Sequence, residues 1–368
     1  MSSTIGNKLQ ISLYGESHAT AIGIVVNGLP SGFKIDFDKL NKFLQRRKTN
    51  QNKYTTKRKE TDEFDILSGY YNDKTTGTPL SIIIKNIDAH SKDYNEIFEK
   101  MRPSHADYTG YIKYKGYNDM RGGGHFSGRL TAPLCIVGGI SLQILEKLGI
   151  SIYSHISSLY DIDDIPIEQV SIYEQKKVAE KEIAIFDDDK IKQAKNLLEK
   201  ITHDNDSIGG IVELIVHNMV IGVGSPIFDT IESRLSHMIF SIPSVKGLEF
   251  GNGFSSTKLT GIQNNDAFEI INGQVITTTN NSGGINGGIS NGMPITMKVA
   301  IKPTASISKT QNTINIKTMQ NTTINIAGRH DPAIVLRIPP VLESAVAITL
   351  LDILLEEKGD FIYEYIYK

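Results

Sequence analysis

The chain has 368 residues, of which 39% are apolar and 22% charged, with a net charge of −2, as in an ordinary globular protein. Such a small net charge argues against a dedicated nucleic-acid-binding protein, because such proteins usually carry a patch of basic residues. Cys135 is the single cysteine, which excludes an intrachain disulfide and paired-cysteine metal sites. The N-terminus lacks the apolar core of a signal peptide, and no run approaches the roughly 18 apolar residues of a membrane span. We therefore expect a cytoplasmic protein with no membrane partner.

The first part of the chain predicts two short strands, a helix and a third strand. "KLQISLYG" and "TAIGIVVNGLP" have strand character and flank the loop "GESHA". "DFDKLNKFLQRR" spaces its apolar residues helically after an aspartate-rich start that suits a helix N-terminus. "PLSIIIKN" predicts a strand buried on both faces, because its apolar run is continuous.

The second part alternates helices and strands without a regular βαβ order. "APLCIVGGISLQILEKLG" predicts a buried helix that ends at Gly149, and "DDDKIKQAKNLLEKI" an amphipathic surface helix. "GGIVELIVHNMVIGVG" returns to strand. "PPVLESAVAITLLDILLEEKG" begins with proline and closes with glycine, the usual asymmetry of a helix. This mixture predicts an α+β fold.

The loop "GESHA" places Glu16, Ser17 and His18 between the first two strands. An imidazole there can donate or accept a proton near neutral pH. The alternative is a turn histidine that faces water, and so short a motif does not decide between the two.

Residues 46–59, "RRKTNQNKYTTKRK", contain seven basic side chains and no acidic one. A solvated charged loop and a nucleic-acid patch are two explanations of such a segment. A small ligand with several negative charges is the third, because guanidinium groups bind carboxylates and phosphates in a bidentate manner.

Residues 102–132, "RPSHADYTGYIKYKGYNDMRGGGHFSGRLTA", combine histidines, arginines and a glycine triplet ahead of the buried helix. Glycines before a helix N-terminus allow backbone amides to approach an anion. The spacing matches neither a Walker P-loop nor a dinucleotide fingerprint. The alternative is a flexible connection before a helix.

The stretch "NNSGGINGGISNGMPI" is followed by "IKPTASI". Five of the ten residues from Gly283 to Gly292 are glycine, which allows the backbone to lie against a flat or phosphorylated ligand, although a glycine-rich hairpin is the simpler explanation. Strand alternation would direct Lys302, Thr304 and Ser306 to one face, where they would suit a phosphate. Metal-binding histidine patterns are missing from the sequence, so we predict no metal site.

In this order, the segments are similar to those of the chorismate synthase family. The resemblance covers nearly the whole chain, and its motifs are "GESHA", "RRKTNQNKYTTKRKETDEFDILSG", "KTTGTPLSIIIKN", "RPSHADYTGYIKY", "SGGINGGISNGMPI", "KPTASI" and "GRHDPAIVLRIPP". It implies a β-α-β sandwich in a single large domain, residues 1–368, and a homotetramer. It also implies a lyase of aromatic amino acid biosynthesis that eliminates phosphate from 5-enolpyruvylshikimate 3-phosphate to give chorismate, the last step of the shikimate pathway. The family needs reduced FMN, and NADPH as its reductant is left open.

The resemblance also assigns ligand-binding residues. The substrate would be surrounded by Arg47, Lys53, Arg102, Ser127, Arg129 and Arg329. The flavin would contact His125, Phe126, Ser127, Pro243, Ser244, Gly287, Lys302, Pro303, Thr304, Ala305, Ser306 and Arg329.

Three residues correspond to the family's proton-handling groups. By this resemblance, His18 lies near the leaving phosphate, where an acid neutralises developing charge. His105 lies near the flavin N1 edge, and Asp331 assists removal of the substrate's C6 hydrogen through flavin N5. His330 has no assigned role.

The chain departs from the family pattern at several positions. The common "GGGRSSARETA" is replaced by "GGGHFSGRLTA", so His125, Phe126 and Leu130 stand where an arginine, a serine and a glutamate are usual. Lys53 replaces a common arginine and lacks the bidentate geometry of a guanidinium.

A protein that binds RNA through the 46–59 segment is the main alternative. This alternative predicts an affinity for RNA that falls steeply with salt concentration.

Overall fold

The computed structural model describes residues 3–48, 54, 62–86, 99–326 and 331–366. Its strands are β1 (Thr4–Ile5), β2 (Gln10–Gly15), β3 (Ala21–Asn27), β4 (Phe64–Ser68), β5 (Tyr70–Tyr71), β6 (Lys74–Thr75), β7 (Leu80–Lys85), β8 (Ser151–Leu159), β9 (Ile162–Asp163), β10 (Gly210–His217), β11 (Val245–Phe250), β12 (Phe268–Ile271), β13 (Gln274–Thr277), β14 (Ile285–Asn286), β15 (Ile289–Ser290), β16 (Ile295–Ile301), β17 (Gln311–Asn315) and β18 (Gln320–Ile324). Its α-helices are α1 (Phe37–Gln45), α2 (Asp107–Lys113), α3 (Thr131–Lys147), α4 (Ile172–Lys177), α5 (Asp188–His203), α6 (Ile231–Ile239), α7 (Gly261–Asn264) and α8 (Pro339–Ile366).

Two antiparallel sheets form the outer layers of the fold. The first has the strand order β1-β2-β3-β7-β4, and the second has the order β11-β16-β10-β8-β9. The register pairs Ile24 with Ile82 in the first sheet and Leu214 with Met297 in the second. These apolar positions are buried because each sheet turns one face toward the helices.

Helices α3 and α8 form the middle layer. They pack against each other, α3 also contacts β3 and β7, and α8 contacts β8. A Cβ atom at Gly138 would lie 2.1 Å from Cβ of Ser344, so the glycine permits the close approach of the two helices. Buried residues of both sheets and both helices form one continuous core, in which a fully buried Leu or Ile contributes about 1.5–3 kcal/mol. The predicted α+β class and β-α-β sandwich are confirmed.

Helix α3 contains an apolar run of the length that the sequence analysis did not expect to find. The segment 128–147 is long and apolar enough to cross a membrane by length and composition, but 89% of its most apolar window is buried in the protein. The expectation that no run approaches that length was therefore too strong. Its apolar residues are accounted for by its position between two sheets, where a helix is apolar on all sides.

Three local predictions were wrong in detail. Strand β7 alternates buried with partly exposed residues and is not buried on both faces, because one face of its sheet is covered only in part. Helix α8 continues past Gly359 to Ile366, with a non-helical residue at Lys358. Strand β16 ends at Ile301, so Lys302–Ser306 is a loop and strand alternation does not apply to it.

Candidate active site

A cavity of about 860 Å³ opens at the N-terminal end of α3, where loops from distant parts of the chain meet. Most of the residues that the sequence assigned to ligand binding line it. These are Arg47, Arg102, His105, His125, Phe126, Ser127, Arg129, Pro243, Ser244, Lys302, Thr304, Ala305, Ser306 and Asp331. The volume is in the upper part of the range of small-molecule sites, about 300–1,000 Å³.

Arg47 and Arg129 form one cationic end of the cavity, and they share the carboxylate of Asp62. Asp62 Oδ2 accepts a hydrogen bond of 2.6 Å from Arg47 Nη1, and Oδ1 accepts one from Arg129 Nη1. All three side chains are at most 7% exposed. Burial raises the pKa of Asp62, but the guanidiniums of Arg47 and Arg129 prevail and hold the pKa below its ordinary value of 3.8. Two guanidiniums of the cavity wall thus share one carboxylate.

Arg102 and His105 meet at a second carboxylate, that of Asp107. Arg102 donates from Nε and Nη2 to Asp107 at 2.7 Å each, and His105 Nδ1 lies 2.6 Å from Asp107 Oδ1. Burial disfavours the charged carboxylate, yet the hydrogen bonds from Arg102 and His105 hold the pKa of Asp107 well below its usual range. Arg102 Nη1 remains directed toward Ser306 Oγ, 3.4 Å away.

The glycine triplet passes between the two predicted histidines. A Cβ at Gly122 (φ +61°) would lie 2.1 Å from Nδ1 and Cε1 of His18, and a Cβ at Gly123 (φ +98°) would lie 3.4 Å from Nε2 of His105. His18 is buried behind Gly122, which lines the cavity. The triplet was expected to allow close approach of an anion. In the structure it also gives the two imidazoles room on either side of one backbone segment.

Asp331 lies beside an arginine that the sequence analysis did not single out. Arg337 Nη1 donates to Asp331 Oδ2 at 2.8 Å, and Arg337 Nε donates to the carbonyl oxygen of Arg47 at 2.9 Å. Both side chains of the ion pair line the cavity. Arg337 was visible in the motif "GRHDPAIVLRIPP", but nothing in the sequence showed that it pairs with Asp331.

Lysine side chains lie in another part of the cavity wall. Lys302 Nζ donates to the carbonyl oxygen of Ser104 at 2.6 Å, and its backbone N–H donates to Ser244. Burial, with a contribution from nearby Lys246, lowers the pKa of Lys302. Lys246 also lines the cavity and was missed by the sequence analysis, since no motif marks it.

Two of the departures from the family motif, His125 and Phe126, have different environments. His125 Nδ1 lies 2.8 Å from the carbonyl oxygen of Gly15, and Nε2 lies 3.0 Å from Ser3 Oγ, so the ring is held by β2 and the N-terminal segment. Phe126 is 36% exposed, lines the cavity and stacks obliquely on Tyr114 at 6.3 Å. The change to Phe126 therefore adds an aromatic surface to the cavity wall.

Some predicted residues lie elsewhere. Gly287 is in the turn between β14 and β15, with open space around a notional Cβ. Pro303 is exposed and packs toward Gly209. Lys53, Arg329 and His330 are outside the described residues, as is most of the basic segment 46–59. Within the described ranges, no group of three or more His, Cys, Asp or Glu side chains could hold a metal ion.

Comparison with known proteins decides the family. The family model described as chorismate synthase matches residues 9–355 of this chain. A chorismate synthase of Dehalococcoides mccartyi strain BAV1 is 42% identical over 355 residues, covering 96% of this chain and 97% of the relative. One from Korarchaeum cryptofilum is 39% identical over 349 residues, covering 94% and 96%. The chain belongs to the chorismate synthase family.

The fold agrees with this membership. A crystal structure of a chorismate synthase superposes with a TM-score of 0.74 at 25% sequence identity, covering 99% of this chain and 100% of that one. The chain therefore has chorismate synthase activity, that of a lyase in aromatic amino acid biosynthesis. None of these findings supports the RNA-binding alternative. The predicted family and function are confirmed.

Proposed function

We propose that this chain eliminates phosphate from 5-enolpyruvylshikimate 3-phosphate to form chorismate within the cavity at the start of α3, with reduced FMN bound in the same cavity. The observation that carries the proposal is the convergence of three buried arginines, Arg47, Arg102 and Arg129, on one cavity. The substrate has a phosphate and two carboxylates, and such a polyanion leaves water only when cations replace its hydration.

The charges at these arginines are arranged before any ligand arrives. Asp62 and Asp107 fix the three guanidiniums but supply only two negative charges between them. A guanidinium has five N–H donors. Arg102 directs Nε and Nη2 to Asp107, and its Nη1 lies 3.4 Å from Ser306 Oγ in the cavity wall, where it can also reach a substrate oxygen. Ser127, together with Lys53 and Arg329 outside the described residues, completes the proposed substrate set.

The residues present also fit FMN. The hydroxyl oxygen of Thr304 is buried and, in the part of the chain that the structure describes, makes no hydrogen bond, which suits a phosphate oxygen. Ala305, Ser306, Lys302 and Ser244 lie beside it along the same wall. The exposed face of Phe126 offers a surface for a flat ring. We assign these residues, with His125, Ser127, Pro243, Pro303, Gly287 and Arg329, to the flavin.

Reduced FMN, when bound, supplies the electron density that weakens the allylic C–O bond of the substrate. The chain's own residues orient the reactants and handle protons. We assign His18 to neutralise the developing charge on the departing phosphate. We assign His105 to the flavin N1 edge and the Asp331 carboxylate to assist removal of the substrate's C6 hydrogen.

The chain acts, on this proposal, as one domain of residues 1–368 in a cytoplasmic homotetramer that binds neither nucleic acid nor membranes. The hairpin β12–β13 supports self-association. Its Phe268 and Ile270 are 71% and 73% exposed, and an isolated two-stranded hairpin is only marginally stable in water. Contact with another copy of the chain would cover these apolar side chains.

An anaerobic assay tests the proposal. The protein is mixed with chemically reduced FMN and substrate, while released phosphate and chorismate are measured in parallel. Stoichiometric formation of both is expected. Folded protein that binds FMN but releases neither product would overturn the assignment. The same assay with oxidised FMN and NADPH shows whether the chain reduces its own flavin, as an NADPH-dependent member would.

A further inference from the structure

Asp107 is surrounded by donors from two residues of the proposed site. It is the first residue of α2 and is 4% exposed. Its Oδ2 accepts from Arg102 Nε at 2.7 Å and from the Arg102 backbone N–H at 3.0 Å, and its Oδ1 accepts from Arg102 Nη2 at 2.7 Å. Oδ1 also lies 2.6 Å from His105 Nδ1. The Asp107 carboxylate thus contacts the Arg102 guanidinium, the Arg102 backbone N–H and the His105 imidazole.

The contact determines which nitrogen of His105 carries the proton. An ionised carboxylate only accepts hydrogen bonds, so Nδ1 must carry the proton that it shares with Asp107. In the neutral ring Nε2 is then the acceptor. The Nε2 edge lies against Gly123, where a Cβ would be 3.4 Å away, and the side chain lines the cavity. Nε2 is therefore the nitrogen of His105 that is not bonded to Asp107, in a side chain that lines the cavity.

We propose that Asp107 is a positioning residue, which fixes the Nδ1–H tautomer of His105 and the orientation of Arg102. The proposal rests on the functions assigned above to His105 and Arg102. Asp107 itself is buried behind both side chains and does not line the cavity. Its effect on the reaction is exerted through the two residues that do.

The role differs from ordinary stabilisation of the turn. If the carboxylate had only a structural role, its replacement would lower the fraction of folded protein but would not move the proton on the His105 ring. A positioning carboxylate sets the protonated nitrogen, and an amide in its place can donate to Nδ1 and so favour the Nε2–H form. The location of the proton on His105 distinguishes the two roles.

Nitrogen-15 NMR of the imidazoles measures this location without substrate or flavin. The chain has nine histidines, and His105→Gln identifies the His105 signals by their loss. In the unmutated protein with a neutral His105 ring, we expect protonated Nδ1 and unprotonated Nε2. A neutral His105 with its proton on Nε2 would overturn the proposal, and this result needs no Asp107 variant to fold.

Variants of Asp107 test the same proposal by enzyme kinetics. Asp107→Asn is expected to shift the ring toward the Nε2–H form and to lower kcat about 100-fold, because misplaced groups cost rate steeply. Asp107→Glu retains a carboxylate and is expected to keep the Nδ1–H form and recover part of that loss. Asp189→Asn, on the exposed side of α5 and paired with Lys192, is the matched control and should leave both readouts unchanged. An Asp107→Asn protein that is folded, with unchanged tautomer and kcat, would contradict the proposal.

The two possible failures can be told apart. If the unmutated protein shows no turnover, the proposed function fails, while the NMR result still reports on Asp107. If the unmutated protein turns over substrate but His105 has the other tautomer, only the positioning role fails.

Discussion

Arg337 donates a hydrogen bond of 2.8 Å from Nη1 to Oδ2 of Asp331, and its Nε donates to the backbone carbonyl of Arg47. One guanidinium therefore connects Asp331, which we assign to removal of the C6 hydrogen, to the backbone of Arg47, which we assign to substrate binding. The planar guanidinium of arginine donates both hydrogen bonds at once. The ammonium group of a lysine, on a flexible side chain, does not reproduce this geometry.

Arg337→Lys should accordingly lower kcat about 10- to 100-fold, because Asp331 loses its fixed orientation while the positive charge is kept. The measurement is anaerobic phosphate release at saturating substrate. Arg234→Lys is the matched control: Arg234 joins Asp352 and Glu356 away from the cavity, and its change should lower Tm without changing kcat. A kcat of Arg337→Lys within twofold of the unmutated protein would contradict the role.

Asp62→Asn should destabilise the protein by about 3 kcal/mol at pH 7, because two buried guanidiniums lose their shared carboxylate. The pKa of Asp62 is lowered below 3.8 in the folded protein, so its contribution to the free energy of unfolding is fully present above that pH. It is lost as the pH falls through the lower, folded-state value.

Urea denaturation between pH 7 and pH 3 measures this effect. The stability difference between Asp62→Asn and the unmutated protein should shrink in the acidic part of the range. Asp65→Asn is the control, since Asp65 is exposed and lies 3.6 Å from Lys85, and it should change stability little at any of these pH values. A difference for Asp62→Asn that stays constant with pH would argue against the ionised pair.

His155→Gln should affect stability with the opposite dependence on pH. His155 is fully buried, with Nδ1 3.0 Å from Asp164 and Nε2 2.9 Å from Glu213. Burial alone would lower the pKa of His155, but the hydrogen bonds to Asp164 and Glu213 prevail and raise it above 6.5. The stability that the charged ring contributes is therefore complete below about pH 6.5 and is lost as the pH rises through the folded-state pKa.

Denaturation at pH 6 and at higher pH should show a loss of about 3 kcal/mol for His155→Gln at pH 6 and a smaller loss in alkaline solution. Because the three side chains lie outside the cavity lining, kcat of the folded variant should be unchanged. A loss that grows with pH would contradict the charged state of the ring.

Gly122→Ala should reduce kcat strongly, because its Cβ would lie 2.1 Å from the His18 ring. Gly149→Ala is the matched control: Gly149 also has a positive φ, +79°, but a Cβ there meets nothing within 4 Å. Both changes place alanine in the left-handed region at a cost of about 1–2 kcal/mol. Gly122→Ala adds the overlap with His18, so its Tm should fall further than that of Gly149→Ala. Equal kcat values for the two variants would mean that His18 is not needed where the structure places it.

The sequence was sufficient for those features that depend on neighbouring residues. Apolar spacing predicted β2, β3 and α1, the length of the apolar run predicted α3, and Gly149 predicted where α3 ends. The order of the polar motifs identified the family, and most of the site residues that it named line the cavity. These features are local because backbone propensity and side-chain periodicity act over a few residues.

The tertiary structure alone decided which charges are paired. Asp62 joins Arg47 to Arg129, Arg337 reaches the backbone of Arg47 across 290 positions, and the glycine triplet lies between His18 and His105. It also decided that Lys302–Ser306 is a loop. Such contacts are set by the packing of α3 and α8 between two sheets, and no local pattern carries information about partners so distant in sequence.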